Sequence, residues 1–165
     1  MKLRKVNGDI MYQKCVDLIC ERGVAIQDIA DCVMFLQKKY LPELTNDHCL
    51  AAIDTVLHKR EVQHAILTGI YLDRAAENQS MDDLDLRDIL MNDSALYGID
   101  EVLAYGICNL YGSIALTNYG YIDKIKPGII EVLNRKGEQC NTFLDDIVGA
   151  IAAAAASKIA HNINK

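Results

Sequence analysis

The chain has 165 residues, 51% of them hydrophobic and 24% charged, with 17 Lys and Arg against 23 Asp and Glu for a formal net charge of −6. A chain of this length is expected to be one domain with a sizeable core, in the mixture of an ordinary soluble globular protein. The acidic balance argues against nucleic acid as the main partner, because phosphate backbones are bound by basic patches.

Asp9 is placed to cap a first helix, with Ile10, Cys15, Leu18 and Ile19 near one face and an end around Gly23. A second helix over 25–39 carries Ile26, Ile29, Ala30, Val33 and Leu36, and Leu41-Pro42 stops it. Thr45 or Asn46 opens the next, in which Leu50, Ile53, Leu57, Glu61, His64 and Thr68 follow helical spacing. That spacing predicts one helix of about 30 residues, running to Glu77 and crossing a whole bundle. "SMDDLDLRDILMND" predicts a short, acidic, exposed helix begun at Ser80. A helix from Gly98 to about Asn118 follows, with small residues Ala104, Cys108 and Gly112 on one stripe. Pro127 breaks the next stretch and suits the first turn of a helix carrying Ile129, Ile130, Val132 and Leu133. The last helix lies in "FLDDIVGAIAAAAASKIAH", where five consecutive alanines make every face small. Such a helix is best placed where others crowd it. The expected fold is all-α: a single multihelical bundle domain over 1–165, with one long central helix surrounded by others.

The segment 102–122 has no charge and is long enough to span a bilayer, but its four Tyr, three Gly and scattered Asn, Ser and Thr suit a buried helix better. No secretory leader is read at the N-terminus. The six cysteines show neither Cys-x-x-Cys nor zinc-like spacing and read as reduced thiols of a cytoplasmic protein, several of them in the core.

The chemistry is carried by acids. Asp145 and Asp146 open the Ala-rich helix, Asp100 and Glu101 open another apolar helix in "GIDEVLAYG", and Asp123 precedes a helix break in "GYIDKIKPG". Each alone fits a cap or a first-turn acid; Thr142 and Asp145 together would make a capping box. Gathered in space, five carboxylates would repel one another unless a hard cation sat among them. Magnesium suits such oxygens, using one or two carboxylates with water and substrate phosphate completing its shell. Lys124 and Lys126 flank Asp123, and a lysine there could hold a phosphate as a point charge.

"YIDKIKP" followed by "FLDDIVGA", with the upstream Asp100-Glu101 pair, resembles the phosphatidylglycerophosphatase A family. "HKREVQHAILTGIYLD" and "LYGIDEVLAYGICNLYGS" are similar to its soluble Gram-positive branch. The resemblance implies a magnesium-dependent phosphatase acting on the phosphomonoester of phosphatidylglycerophosphate, within an all-helical fold. It implies metal binding by Asp100, Glu101, Asp123, Asp145 and Asp146, with Lys126 alongside. Glu101 or Asp146 would act as base and Lys126 would stabilise charge. The Gly-Thr-x-Gly-Ser element that membrane-bound members carry ahead of the Asp-Glu pair is missing, and the one Gly-Ser here, Gly112-Ser113, follows the pair. The substrate class therefore stays open between a lipid head group, met by peripheral contact with a membrane, and a soluble phosphomonoester. A non-catalytic helical binding module is the third reading, and the Ala and Gly stripes leave room for a homo-oligomer.

Elsewhere, Glu61-x-x-His64 is half of a di-iron motif whose second copy is absent from the sequence. His58, Glu61 and His64 share one side of the long helix and could face the acids, His64 as a phosphate-side cation. No cysteine sits in a Cys-x5-Arg phosphate loop.

Overall fold

The computed structural model describes residues 8–135 and 137–162. Its elements in chain order are α1 (Gly8–Glu21), α2 (Ile26–Gln37), α3 (Asn46–Leu57), α4 (Arg60–Glu77), α5 (Leu84–Met91), α6 (Ile99–Asn109), α7 (Ser113–Ile125), α8 (Ile129–Asn134) and α9 (Leu144–Asn162). No strand occurs among the described residues.

The centre is α9. Every residue from Leu144 to Ser157 is buried, and α2, α3, α4, α6, α7 and α8 all pack on it. Alanines at 152–156 allow this, because helix axes can approach closely only where side chains are small. The expected central helix surrounded by others is therefore present, and it is the last one in the chain. Among the described residues, no helix is long and apolar enough to cross a membrane. All six cysteines are free thiols; five are buried and Cys20 is exposed.

Two boundaries differ from the expectation. The long helix after Thr45 is two helices. His58 ends α3 and Lys59 turns to extended backbone, φ −72 and ψ 129, before α4 begins. The buried Gln63 amide donates to the Leu57 carbonyl at 2.9 Å, satisfying one of the acceptors the break exposes. Glu61, His64 and Thr68 are exposed, while Val62, Ile66, Ile70 and Asp73 form the buried face of α4. The helix expected over 98–118 likewise divides. Leu110 ends α6 and Gly112, at φ +81, turns the chain into α7. Ala104 and Cys108 of the small stripe are buried, but Gly112 belongs to the turn. Smaller differences are that α5 starts at Leu84, capped by Asp83, and that Asp9 lies within the first turn of α1.

Candidate active site

One cleft of about 490 Å³ opens at the N-terminal end of α9. Asp145 and Asp146 line it from the first turn of α9, Asp100 and Glu101 from the first turn of α6, and Asp123 from the last turn of α7. Lys126, just past α7, completes the set, together with Asp93 and residues 94–98 of the α5–α6 loop and Asn134 of α8. Asp123 thus lies at a helix end, while the other four acids named from the sequence open their helices.

The entry into α9 is fixed from outside. The Asp73 carboxylate, fully buried on α4, accepts the N–H of Phe143 at 3.0 Å and that of Leu144 at 3.0 Å. The Thr142 hydroxyl donates to Leu90 O at 2.6 Å, and the Asn141 amide donates to Leu133 O at 3.1 Å. Arg22 donates to Cys140 O at 2.6 Å and pairs with Glu77 at 2.8 Å. The Glu77 carboxylate in turn accepts the Cys140 N–H. The capping box expected from Thr142 and Asp145 is therefore absent: Thr142 turns to α5, and Asp145 Oδ1 accepts the N–H of Asp146 at 2.9 Å. With Asp73 as the cap, Asp145 and Asp146 are free to face the cleft.

The cleft is short of positive charge. Lys126 Nζ lies 2.8 Å from Asp123 Oδ1 and 3.6 Å from Asp145 Oδ2, and among the described residues it is the only basic side chain that lines the cleft. Burial pushes the Asp145 carboxyl up to about 7 despite Lys126, with Asp93 adding to the rise. Burial, followed by the neighbouring Asp145, pushes Asp146 up to about 8. Burial also raises Asp100, whose Oδ1 has no hydrogen-bond partner among the described residues. Burial alone would lower the Lys126 ammonium, but Asp123, Asp145 and Asp146 together hold it above the ordinary lysine value. Tyr119 is buried beside Asp146, and its phenol is raised first by burial and then by that acid. The two perturb each other's titration, although the Tyr119 hydroxyl makes no hydrogen bond of good geometry.

A model of the family described as phosphatidylglycerophosphatase A matches residues 20–161. The chain belongs to the phosphatidylglycerophosphatase A family. The uncharacterized protein YutG of Bacillus subtilis (strain 168) is 60% identical over 142 residues, covering 86% of this chain and 85% of that protein. The uncharacterized protein YpjQ of the same organism is 47% identical over 159 residues, covering 96% of this chain and 89% of that one. The crystal structure of the low temperature requirement C protein from Listeria monocytogenes is similar with a TM-score of 0.93 at 52% identity, covering 96% of this chain and 100% of that one.

The Asp-Glu, Asp-x-x-Lys-Pro and Asp-Asp segments meet at one cleft, while the segment 58–73 does not line it. Two expected members do not join them. Lys124 is exposed and lies outside the cleft lining, because it points away from the face of α7 that carries Asp123. His64 is exposed on α4 and does not line the cleft either. His58 stacks on Tyr12 at 4.0 Å and lies 3.5 Å from Asp54, so it serves the α1–α3 contact. Sequence reasoning missed Asp73, Asp93 and Tyr119. Asp73 carried a signal, since it falls in register with Ile66 and Ile70 on an otherwise apolar face.

Proposed function

We propose that the protein is a magnesium-dependent phosphatase that hydrolyses a phosphomonoester, with phosphatidylglycerophosphate as substrate and phosphatidylglycerol as product. Family membership supports a phosphoric monoester hydrolase. The observation that carries the reading is the cleft itself, where, among the described residues, six carboxylates share one lysine. The donor set suits a hard cation: all the acids offer oxygen, Asp100 Oδ1 is without a partner among the described residues, and Asp145 and Asp146 are buried beside each other. Among the described residues, no three His, Cys, Asp or Glu side chains already stand together as a ligand set. A site built on one or two of these carboxylates, with water and phosphate as further ligands, fits that arrangement. Asp145 and Asp146, with Asp100, Glu101 and Asp123 around them, would hold the ion. Bound there, magnesium would polarise a phosphoryl oxygen and make the attacking water more acidic.

The chain's own groups do the rest. The N–H groups of 143–146 are all engaged, to Asp73, Asn141 and Asp145, so the helix end has none to spare for a phosphate. Lys126 is therefore the group that receives the phosphate oxygens, moving from its carboxylate partners. Glu101 or Asp146 takes the proton of the water that attacks phosphorus. The ester P–O bond breaks, and the leaving alkoxide takes back the proton that Glu101 or Asp146 accepted from the water.

The test is phosphate release from phosphatidylglycerophosphate in mixed micelles, with magnesium or with chelator, beside a panel of soluble phosphomonoesters. Metal-dependent release from the lipid is the expected result. Release only from soluble esters would retain the chemistry and replace the substrate, and no release from any of them would leave a binding module. Asp146→Asn is expected to lower activity by roughly 10²-fold or more. Its thermal midpoint should be nearly unchanged at neutral pH and raised above about pH 8, because the amide cannot take on the buried charge that Asp146 acquires there.

A further inference from the structure

A group of exposed aromatic contacts joins α2 and the residues just after it to α7, outside the cleft. Phe35 of α2 stacks on Tyr121 of α7 with ring centroids 5.9 Å apart and planes within 5°. The Lys39 ammonium sits over two rings, 4.8 Å from the centroid of Tyr40 and 5.2 Å from that of Tyr121. These apolar groups are well exposed: Phe35 40%, Tyr121 42%, Ile125 49% and Tyr40 68%. Other large apolar groups are exposed as well, Leu96, Ile99 and Val102 among them, but Phe35, Tyr40 and Tyr121 form a strip tied together by ring contacts and by Lys39.

The strip carries charge of one sign. Lys39 and Lys124 are exposed and make no ion pair among the described residues. Lys38 differs, since its ammonium is spent on the Pro42 and Leu44 carbonyls at 2.8 and 2.9 Å. Asp31, one turn before Phe35 on α2, is bonded to Gln27 and bounds the strip. In a protein of net charge −6, two unpaired lysines among exposed aromatics form a local positive, amphipathic face. Tyrosine, phenylalanine and lysine together suit the boundary between lipid head groups and acyl chains. There the rings enter the interface and the ammonium meets anionic phosphate. The strip also ends at the cleft. Tyr121, Lys124 and Ile125 share the last turn of α7 with Asp123, and Lys126 follows directly.

We propose that this α2–α7 seam, formed by Phe35, Lys39, Tyr40, Tyr121, Lys124 and Ile125, is the surface on which the protein rests against an anionic lipid bilayer. The proposal rests on the phosphatase reading only for why a lipid surface would be approached. A second copy suits the face less well, because a two-fold pairing of the seam would gather four lysines with no acid to balance them.

The full chain would be sedimented with vesicles of phosphatidylcholine alone and with vesicles containing phosphatidylserine. Phosphatidylserine is neither substrate nor product of the proposed reaction, so retention reports the surface and not the cleft. Retention is expected only on the anionic vesicles and should weaken as salt rises. Lys39→Glu combined with Lys124→Glu should weaken it at least about tenfold, and Phe35→Ser combined with Tyr121→Ser by a similar factor. Asp146→Asn should bind vesicles as the parent does, with unchanged melting of the seam variants showing that they fold. Failure of the parent to sediment, or equal retention of all seam variants, would overturn the proposal. So would a dimer in analytical ultracentrifugation that the same substitutions dissociate. Vesicle binding without phosphate release would leave the seam assignment standing and remove the phosphatase reading. Release from micellar lipid without vesicle binding would do the reverse.

Discussion

Asp73 is the residue on which the site's geometry turns, although it does not line the cleft. Its two oxygens hold the N–H groups of Phe143 and Leu144, and the thiol of Cys140 lies 3.6 Å from Oδ1. Burial raises its pKa to about 7, against the pull of those N–H groups and of Arg22. The carboxylate is thus held at a cost that the capping bonds only partly offset. Replacing it with alanine would leave two buried donors without acceptors, at roughly 1–3 kcal/mol each. We expect Asp73→Ala to lose about 3 kcal/mol in urea unfolding, and Asp73→Asn, which keeps one acceptor, about half of that. Both should lose phosphatase activity, since the turn that places Asp145 and Asp146 would loosen. A loss below about 0.5 kcal/mol for the alanine variant would mean that water satisfies this helix end and Asp73 is dispensable.

Among the elements, α9 sets the terms for the others, and α4 meets it most closely at Gly69. A Cβ there would overlap Ile147 Cδ1 and stand 2.9 Å from Phe143 Cβ. Gly106 in α6 faces open space. Gly69→Ala is therefore expected to destabilise by about 1–3 kcal/mol through overpacking. Gly106→Ala should stabilise by about 0.5–1 kcal/mol, because alanine is the better helix former. Calorimetry or urea unfolding of both would check this, and equal effects would show that α4 can shift away from α9. The same elements show what was legible beforehand. The alanine run announced a crowded helix, and the Asp-Glu, Asp-x-x-Lys-Pro and Asp-Asp segments announced acids that the fold does bring to one cleft. The breaks after Leu57 and after Leu110 were not legible. Apolar spacing continues across a two-residue interruption, and the group that stabilises the first break, Gln63, reads locally as a surface amide. The capping role of Asp73 was hidden for a similar reason. Its partners lie 70 and 71 residues away, beyond any local rule of helix capping.

At the scale of the whole molecule, the cleft makes stability depend on pH and on metal together. Asp145 and Asp146 are pushed up to about 7 and about 8 when folded, while an unfolded aspartate titrates near about 4. Between those limits the native state binds more protons than the unfolded one. The contribution of these groups is therefore full below about pH 4 and is lost as pH rises through about 8. In chelator, the thermal midpoint should fall between about pH 5 and about pH 8.5. Magnesium binding to the carboxylates must displace those protons at the acid end and meets bare anions at the alkaline end. The rise in midpoint at a fixed magnesium concentration should thus be larger at about pH 8.5 than at about pH 5. Repulsion among exposed acids would also weaken the fold as pH rises, but salt screens it, whereas it screens buried pairs far less. The decisive comparison is Asp146→Asn in high salt. If the cleft is responsible, this variant flattens the pH dependence and shrinks the magnesium effect. If it melts with the parent's full pH and metal dependence, the acids of the cleft are not the site where the ion binds.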